Sequence, residues 1–462
     1  MSIPLPIIDS RTIPKHTVFI LVAAGRYDYL ERFPVPNIDI LIQNGVSYRN
    51  AVAGTCIAGT SPGTATLSTG LYVKDHGVPS DYEWYVKETG ELIYVYNAKE
   101  NILYMDAPTL ADSFKEQHPQ AKIASISTKD RHALLLAGKQ ADRVAYSYRE
   151  SVFKRDDLGA YTGAGVSDDY FSWQERVGHT LPKYLSEMKQ IRKVDWAGKG
   201  FNHVNTDVAD TALIDEWIMN SALKILENES PDLLFMSMVA ANITGHVYGL
   251  ESAELEASVE NIDIQIGKLI HQLKEMNWFE DTLIVIAGDH GMAERPIGVD
   301  VITELKRAGH RGLVENVLNF SAGATAGFYL NRTDTSMIEK TINALLEVKH
   351  IKEAWYKKDP RAPWYVQRFA HERAPDIVII PDHRSVILDE GKREPTVPFY
   401  HGPPYPSDLS IWCIFSGAGV NKLGKVGEML DYSSTNLISD EEILNLTEQA
   451  SVAPTIKAIW AQ

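Results

Sequence analysis

The 462-residue chain predicts an α/β fold with a mainly parallel central sheet flanked by helices, on three observations. Continuous apolar runs rich in β-branched residues recur at 17–23 (TVFILVA), 232–240 (DLLFMSMVA) and 282–287 (TLIVIA), the pattern of strands covered on both faces. Segments of helical periodicity stand between them, the alternation of a parallel sheet. Polar side chains capable of chemistry follow the ends of the runs, where open α/β sheets bind ligands.

In chain order, the strand at 17–23 runs into Ala24-Gly25 and a helix at 37–43. A β-like run at 46–52 then leads into GTCIAGTSPGTATLSTGLYVKDHG at 54–77, where the pattern turns helical from Thr64 and leaves Thr60 on the preceding turn. Segment 81–96 is aromatic and acidic, with a Glu-Thr-Gly-Glu turn that suggests a hairpin. A helix at 107–116, a strand at 122–127 and the run STKDRHALLLAGKQAD follow. Residues 145–205 show no sustained period and are expected to be an inserted cap; a helix is expected at 211–226. The strand at 232–240 runs out into ANITGHVYG, a long amphipathic helix spans 253–276, and the strand at 282–287 ends in GDHGM. Residues 297–374 read as a second inserted lobe, followed by strands at 376–380 and 411–416 and a final helix near Pro454. Length suggests one large domain, 1–462, with these insertions, or two domains.

A formal net charge of −16 with no long basic run argues against nucleic-acid polymers as partners. Cys56 and Cys413 lie far apart and outside any CxxC spacing, so no disulfide framework or thiolate zinc site is indicated. No run reaches the roughly 18 apolar residues that cross a bilayer. The expectations are a cytoplasmic protein, no membrane, a small anionic substrate and room for a homo-oligomer.

Thr60 places a hydroxyl near a helix N-terminus, where unpaired N–H groups and the helix dipole favour an anion; the plainer alternative is a capped helix in a Thr-rich loop. Lys129 and Arg131 stand at a strand end, as an anion clamp or as solvated charges. His246, the pair Asp289 and His290, and His401 supply imidazole and carboxylate donors from three separate places, a set that suits zinc or another divalent ion.

On these residues the sequence resembles the alkaline phosphatase superfamily, in its branch of nucleotide pyrophosphatase/phosphodiesterases and phosphonoacetate hydrolases. The marks are the Thr60 segment running into TGLYVKDHGV at 69–78, GHVYG at 245–249, GDHGM at 288–292, His401-Gly402 and APTI at 453–456; the passage 76–97 is most similar to phosphonoacetate hydrolases. The resemblance implies two close zinc ions and a Thr nucleophile. By position, Thr60, Asp289 and His290 match the first ion, and Asn242, His246 and His401 the second, with Lys129 and Arg131 on the substrate's anionic group. Two cations would stabilise the attacking and leaving oxygens of an in-line displacement.

The sequence departs from that pattern where the ions would sit. Ala24 and Asn242 stand where the family has Asp ligands, Asp81 where it has an Asn that donates to the phosphoryl group, and Gly63 where nucleotide pyrophosphatases carry Asn. Engineered substitution, a replacement ligand such as Asp28 or Asp81, and loss of hydrolysis with the pocket kept for an anionic metabolite or a non-hydrolytic reaction each account for this. The changes at Asp81 and Gly63 favour natural divergence over engineering. The leading expectation is a divalent-metal-dependent hydrolase with one or two ions; a binding scaffold is the third class.

Overall fold

The computed structural model describes residues 3–81, 83–97, 102–148, 153–155, 161–163, 172–175 and 208–462. Nine strands build the central sheet. In chain order they are β1 (His16–Val22), β2 (Gly45–Tyr48), β3 (Ile123–Ser127), β4 (Arg143–Tyr148), β5 (Ser172–Glu175), β6 (Leu233–Met238), β7 (Thr282–Gly288), β8 (Cys413–Gly417) and β9 (Gly424–Val426). They are ordered β5-β4-β3-β6-β1-β7-β8-β2-β9. Strands β4, β3, β6, β1 and β7 run parallel to one another, as the apolar runs predict. Strands β5, β8 and β2 add antiparallel pairings on either side of that block.

β1 buries Val18, Phe19, Ile20, Leu21 and Val22, each side chain contributing about 1.5–3 kcal/mol when fully removed from water. The helices Val208–Glu229 and Ala253–Glu275 pack on one another beside this core. The hairpin at 81–96 forms, with Glu83–Val86 paired to Glu91–Tyr94. The helix expected at 107–116 runs Leu110–Gln117, its start fixed by Thr109 and Asp112 in a reciprocal capping box.

One expectation changes and two are filled in. The run 46–52 breaks at a turn, so only Gly45–Tyr48 stays in the sheet while Ala51–Val52 leaves it to pair with Thr447–Glu448. The strand expected at 376–380 (Ile377–Pro381) belongs not to the central sheet but to a second, four-stranded antiparallel sheet with Val317–Ser321, Ala326–Leu330 and Ile351–Tyr356. That sheet has its own apolar cluster around Phe328, Leu345 and Ile379. The segment after β6 forms a helix, Ala240–Tyr248. Most of the cap expected at 145–205 lies outside the described residues. Among the described residues, no helix is long and apolar enough to cross a membrane.

Candidate active site

Strand register brings the site together. Val22 at the end of β1 lies beside Met238 of β6 and Gly288 of β7, and Ser237 lies beside Ser127 of β3. Everything that follows these ends, namely Ala24, Lys129, Asn242 and Asp289, therefore emerges on one edge of the sheet, at the carboxyl ends of parallel strands. A cavity of about 350 Å³ opens there, lined by Thr60, Asp81, Lys129, Arg131, Asn242, His246 and His401, and closed on another side by the 321–327 segment next to the smaller sheet. His290 and Asp289 are wholly buried behind it.

Thr60 is the first residue of α1 (Thr60–Thr69), with Gly59 as N-cap, so the helix starts four residues earlier than its pattern suggests. Pro62 is tolerated because first-turn N–H groups have no partner within the helix. The cap comes from far along the chain: the Asp81 carboxylate accepts the Ser61 N–H at 2.7 Å. Asp81 thus already places one negative charge at this helix end. Gly63 has a direct reason, since a Cβ there would lie 2.3 Å from the Asp289 carbonyl oxygen.

Asn242 and His246 share one face of α3, if α2 is the helix Asp130–Ala137 that follows Lys129 and α3 is Ala240–Tyr248. The start of α3 is held by Asp215, whose buried carboxylate accepts the Val239 N–H at 2.7 Å and the Ala240 N–H at 3.2 Å. Burial pushes the Asp215 carboxyl up to about 7. His246 donates its Nδ1 proton to the Phe399 carbonyl at 2.7 Å. Gly249, at φ 99°, allows this approach, because a Cβ would meet the Phe399 ring at 2.5 Å.

The other two predicted histidines are held in the same way. His401 Nδ1 donates to the Ala58 carbonyl at 2.7 Å, and His290 Nδ1 to the Gly291 carbonyl at 2.8 Å. A carbonyl only accepts, so in all three rings Nδ1 carries a proton, and in His246 and His401 Nε2 keeps the lone pair. The His290 and His401 rings stack at 3.5 Å, with His246 5.2 Å from His401. His290 Nε2 lies 3.5 Å from Thr60 Oγ1. Burial holds the His246 and His401 pKa values down, that of His246 to about 3.

Lys129 donates from Nζ to Asn242 Oδ1 at 2.7 Å. Asn242 is buried, and its Nδ2 has no hydrogen-bond partner among the described residues.

Asp289 is bound on both oxygens. Oδ1 accepts the N–H of Ala24 and of His290, each at 2.9 Å, and Oδ2 faces His132 Nε2 at 3.2 Å and His290 Nε2 at 3.5 Å. Burial works to raise its pKa, but His290, His132 and Lys129 outweigh it and hold the carboxyl below the usual range. His132 Nδ1 in turn lies 2.5 Å from Ser237 Oγ on β6. His132 and Ser237, like Asp215, are wholly buried members of this architecture that the sequence reading did not single out. His132 directly follows Arg131, which was the available signal, but only burial shows that it points inward.

The donor atoms decide whether two divalent ions fit, and they do not. Ala24 offers no side-chain donor, and the oxygen of Asn242 is taken by an ammonium group. Asp28 is committed elsewhere: Arg26 grips its carboxylate through two contacts of 2.6 Å, and Arg32 adds a third at 3.0 Å. Among the described residues, no group of three or more His, Cys, Asp or Glu side chains is arranged to hold an ion. Each half of the expected pair retains two such side chains: Asp289 with His290, and His246 with His401.

The sequence pattern of the type I phosphodiesterase / nucleotide pyrophosphatase family matches residues 17–403. The alkaline phosphatase PhoD of Zymomonas mobilis is 24% identical over 368 residues, covering 71% of this chain and 58% of its own length, so the chain spans less than two thirds of that relative. A bis(5'-adenosyl)-triphosphatase of Pongo abelii is 20% identical over 399 residues, covering 84% of this chain and 69% of its own. Among solved structures, the alkaline phosphatase PafA matches with a TM-score of 0.73 at 14% identity, over 98% of this chain and 97% of that one. A phosphonoacetate hydrolase from Sinorhizobium meliloti 1021 matches with a TM-score of 0.63 at 16% identity, over 99% of this chain and 100% of that one. At such identities the structural likeness establishes the alkaline-phosphatase-like fold.

Proposed function

The chain belongs to the type I phosphodiesterase / nucleotide pyrophosphatase family, and on that premise we propose that it hydrolyses a small phosphate ester, phosphodiester or phosphonate with Thr60 as nucleophile. The carrying observation is the placement of the Thr60 hydroxyl at the N-terminus of α1, 3.5 Å from His290 Nε2, on a cavity that Lys129 and Arg131 also line. In this reading Thr60 Oγ attacks phosphorus and gives its proton to Nε2 of the neutral His290, which passes it to the leaving oxygen or carbon as the P–O or P–C bond breaks. Water then cleaves the phosphothreonine. Lys129 and Arg131 neutralise the anion. The resemblance implies divalent metal chemistry, and His246 with His401 could serve one ion; no step above depends on it. A small anion rather than a nucleic-acid polymer suits a chain of net charge −16 with a pocket of this size.

Turnover of aryl phosphate, diaryl phosphate and phosphonoacetate, with and without added zinc, tests the proposal. Thr60→Ala is expected to lower kcat by on the order of 10³-fold on whichever substrate is used. The proposal fails if no substrate turns over, or if the variant matches the parent.

Binding without turnover is a second reading, favoured by Ala24 and Asn242, which leave each half of the expected ion pair with only two His or Asp side chains. Calorimetric binding of inorganic phosphate by a protein that cleaves none of these substrates is the result it requires.

A further inference from the structure

We propose that the Asp289 half of the site is built to work without an ion: His132, anchored by Ser237, gives Asp289 Oδ2 the proton donor that stands in for a cation. Four observations converge on this. The first is the tautomer. A carboxylate only accepts, so the 3.2 Å contact puts the proton on His132 Nε2, and His132 Nδ1 accepts the Ser237 hydroxyl proton at 2.5 Å. His246 and His401 have the reverse arrangement, with Nε2 bearing the lone pair that a metal ligand needs.

The second is saturation: Asp289 Oδ1 already receives two main-chain N–H groups at 2.9 Å. The third is Ala24. It sits at φ 55°, a left-handed conformation that Asp and Asn adopt more readily than Ala, yet its N–H remains aimed at Asp289 while its side chain supplies nothing. The fourth is burial: His132, Ser237 and Asp289 are each 0% exposed, so no water replaces any member of the chain. A buried carboxylate must be paired, and the neutral Nε2–H of His132, with two main-chain donors, meets that need without a dication. His132 is a positioning residue: it acts through Asp289 on the His290 side of the pocket and touches no substrate.

The probe is zinc alone, and none of the readouts is turnover, so the hydrolase proposal and this one fail separately. Wild-type protein, stripped with a chelator and dialysed against low-micromolar zinc, is expected to retain no more than one ion per chain by elemental analysis. Crystals grown with zinc are expected to show no anomalous peak bonded to Asp289 Oδ2. Ala24→Asp alone is expected to add no ion, because His132 still holds Oδ2; Ala24→Asp combined with His132→Leu is expected to add one. Two ions in the wild type, an anomalous peak on Asp289 Oδ2, a gain with Ala24→Asp alone, or a folded double variant that gains nothing each overturns the inference. Should the double variant not fold, the wild-type and single-variant measurements decide.

Discussion

His246, His290 and His401 each give the Nδ1 proton to a main-chain carbonyl, whereas His132, next to them in space, gives its Nε2 proton to a carboxylate. Of the three rings of the first kind, His246 and His401 line the pocket with a lone pair on Nε2; His132 closes a buried hydrogen-bond chain from Ser237 to Asp289. One residue type thus does two jobs in one site, and the partner of the second ring nitrogen sets which. Histidines of the first kind are fitted to act on a ligand. His132 is fitted to hold the structure that presents them.

The sharpest way to break this comparison is to delete one member of each kind. His132→Ala is expected to cost about 3 kcal/mol of stability, since it strands the Asp289 carboxylate in the interior. His401→Ala is expected to cost less than about 1 kcal/mol, because its loss opens onto the cavity. Urea unfolding of both variants checks it, and equal stability losses would erase the distinction.

A smaller effect comes from His76, which shares the tautomer of His132 away from the pocket. Its Nδ1 accepts the Val78 N–H at 3.2 Å, so Nε2–H points to Thr66 Oγ1. Burial holds its pKa down to about 3, from 6.5 in the unfolded chain. Between these values the unfolded state binds the proton and the folded state does not. Stability is therefore intact above pH 6.5 and falls as pH drops toward 3, by up to about 1.4 kcal/mol per pH unit. His76→Gln is expected to flatten that acid limb in urea titrations at pH 5 and pH 7; an unchanged slope would show that His76 does not set it.

The smallest effect concerns Ala24. Ala24→Gly relieves the left-handed backbone at φ 55° and is expected to raise stability by about 0.5–1 kcal/mol by thermal unfolding. A destabilisation would mean that the Ala24 methyl packs against something whose loss outweighs the strain.

Much of the fold was legible because its signals are local. β1, β6 and β7 are written as unbroken apolar runs, and Asp289 and His290 follow one of them directly. The start of α1 was not legible, because its cap is Asp81, some twenty residues downstream, and a Thr-rich stretch with Pro62 resembles a loop. The helical state of 240–248 was hidden for a similar reason: Asp215, on another helix, holds its first N–H groups. The strand Ile377–Pro381 was recognised as a strand, but an apolar run carries no mark of which sheet it joins.

The sequence by itself determined the α/β alternation, the positions of Thr60, Lys129, Arg131, His246, Asp289, His290 and His401, and the absence of carboxylates at Ala24 and Asn242. Tertiary structure alone decided what those positions do together. Lys129 reaches Asn242 across 113 residues, His132 reaches Ser237 across 105, and Asp289 reaches Ala24 across 265. The physical reason is that protonation and donor capacity belong to contacts rather than residues: which nitrogen of a histidine bears its proton, and whether a carboxylate oxygen is already taken, is fixed only when the partner arrives from another strand.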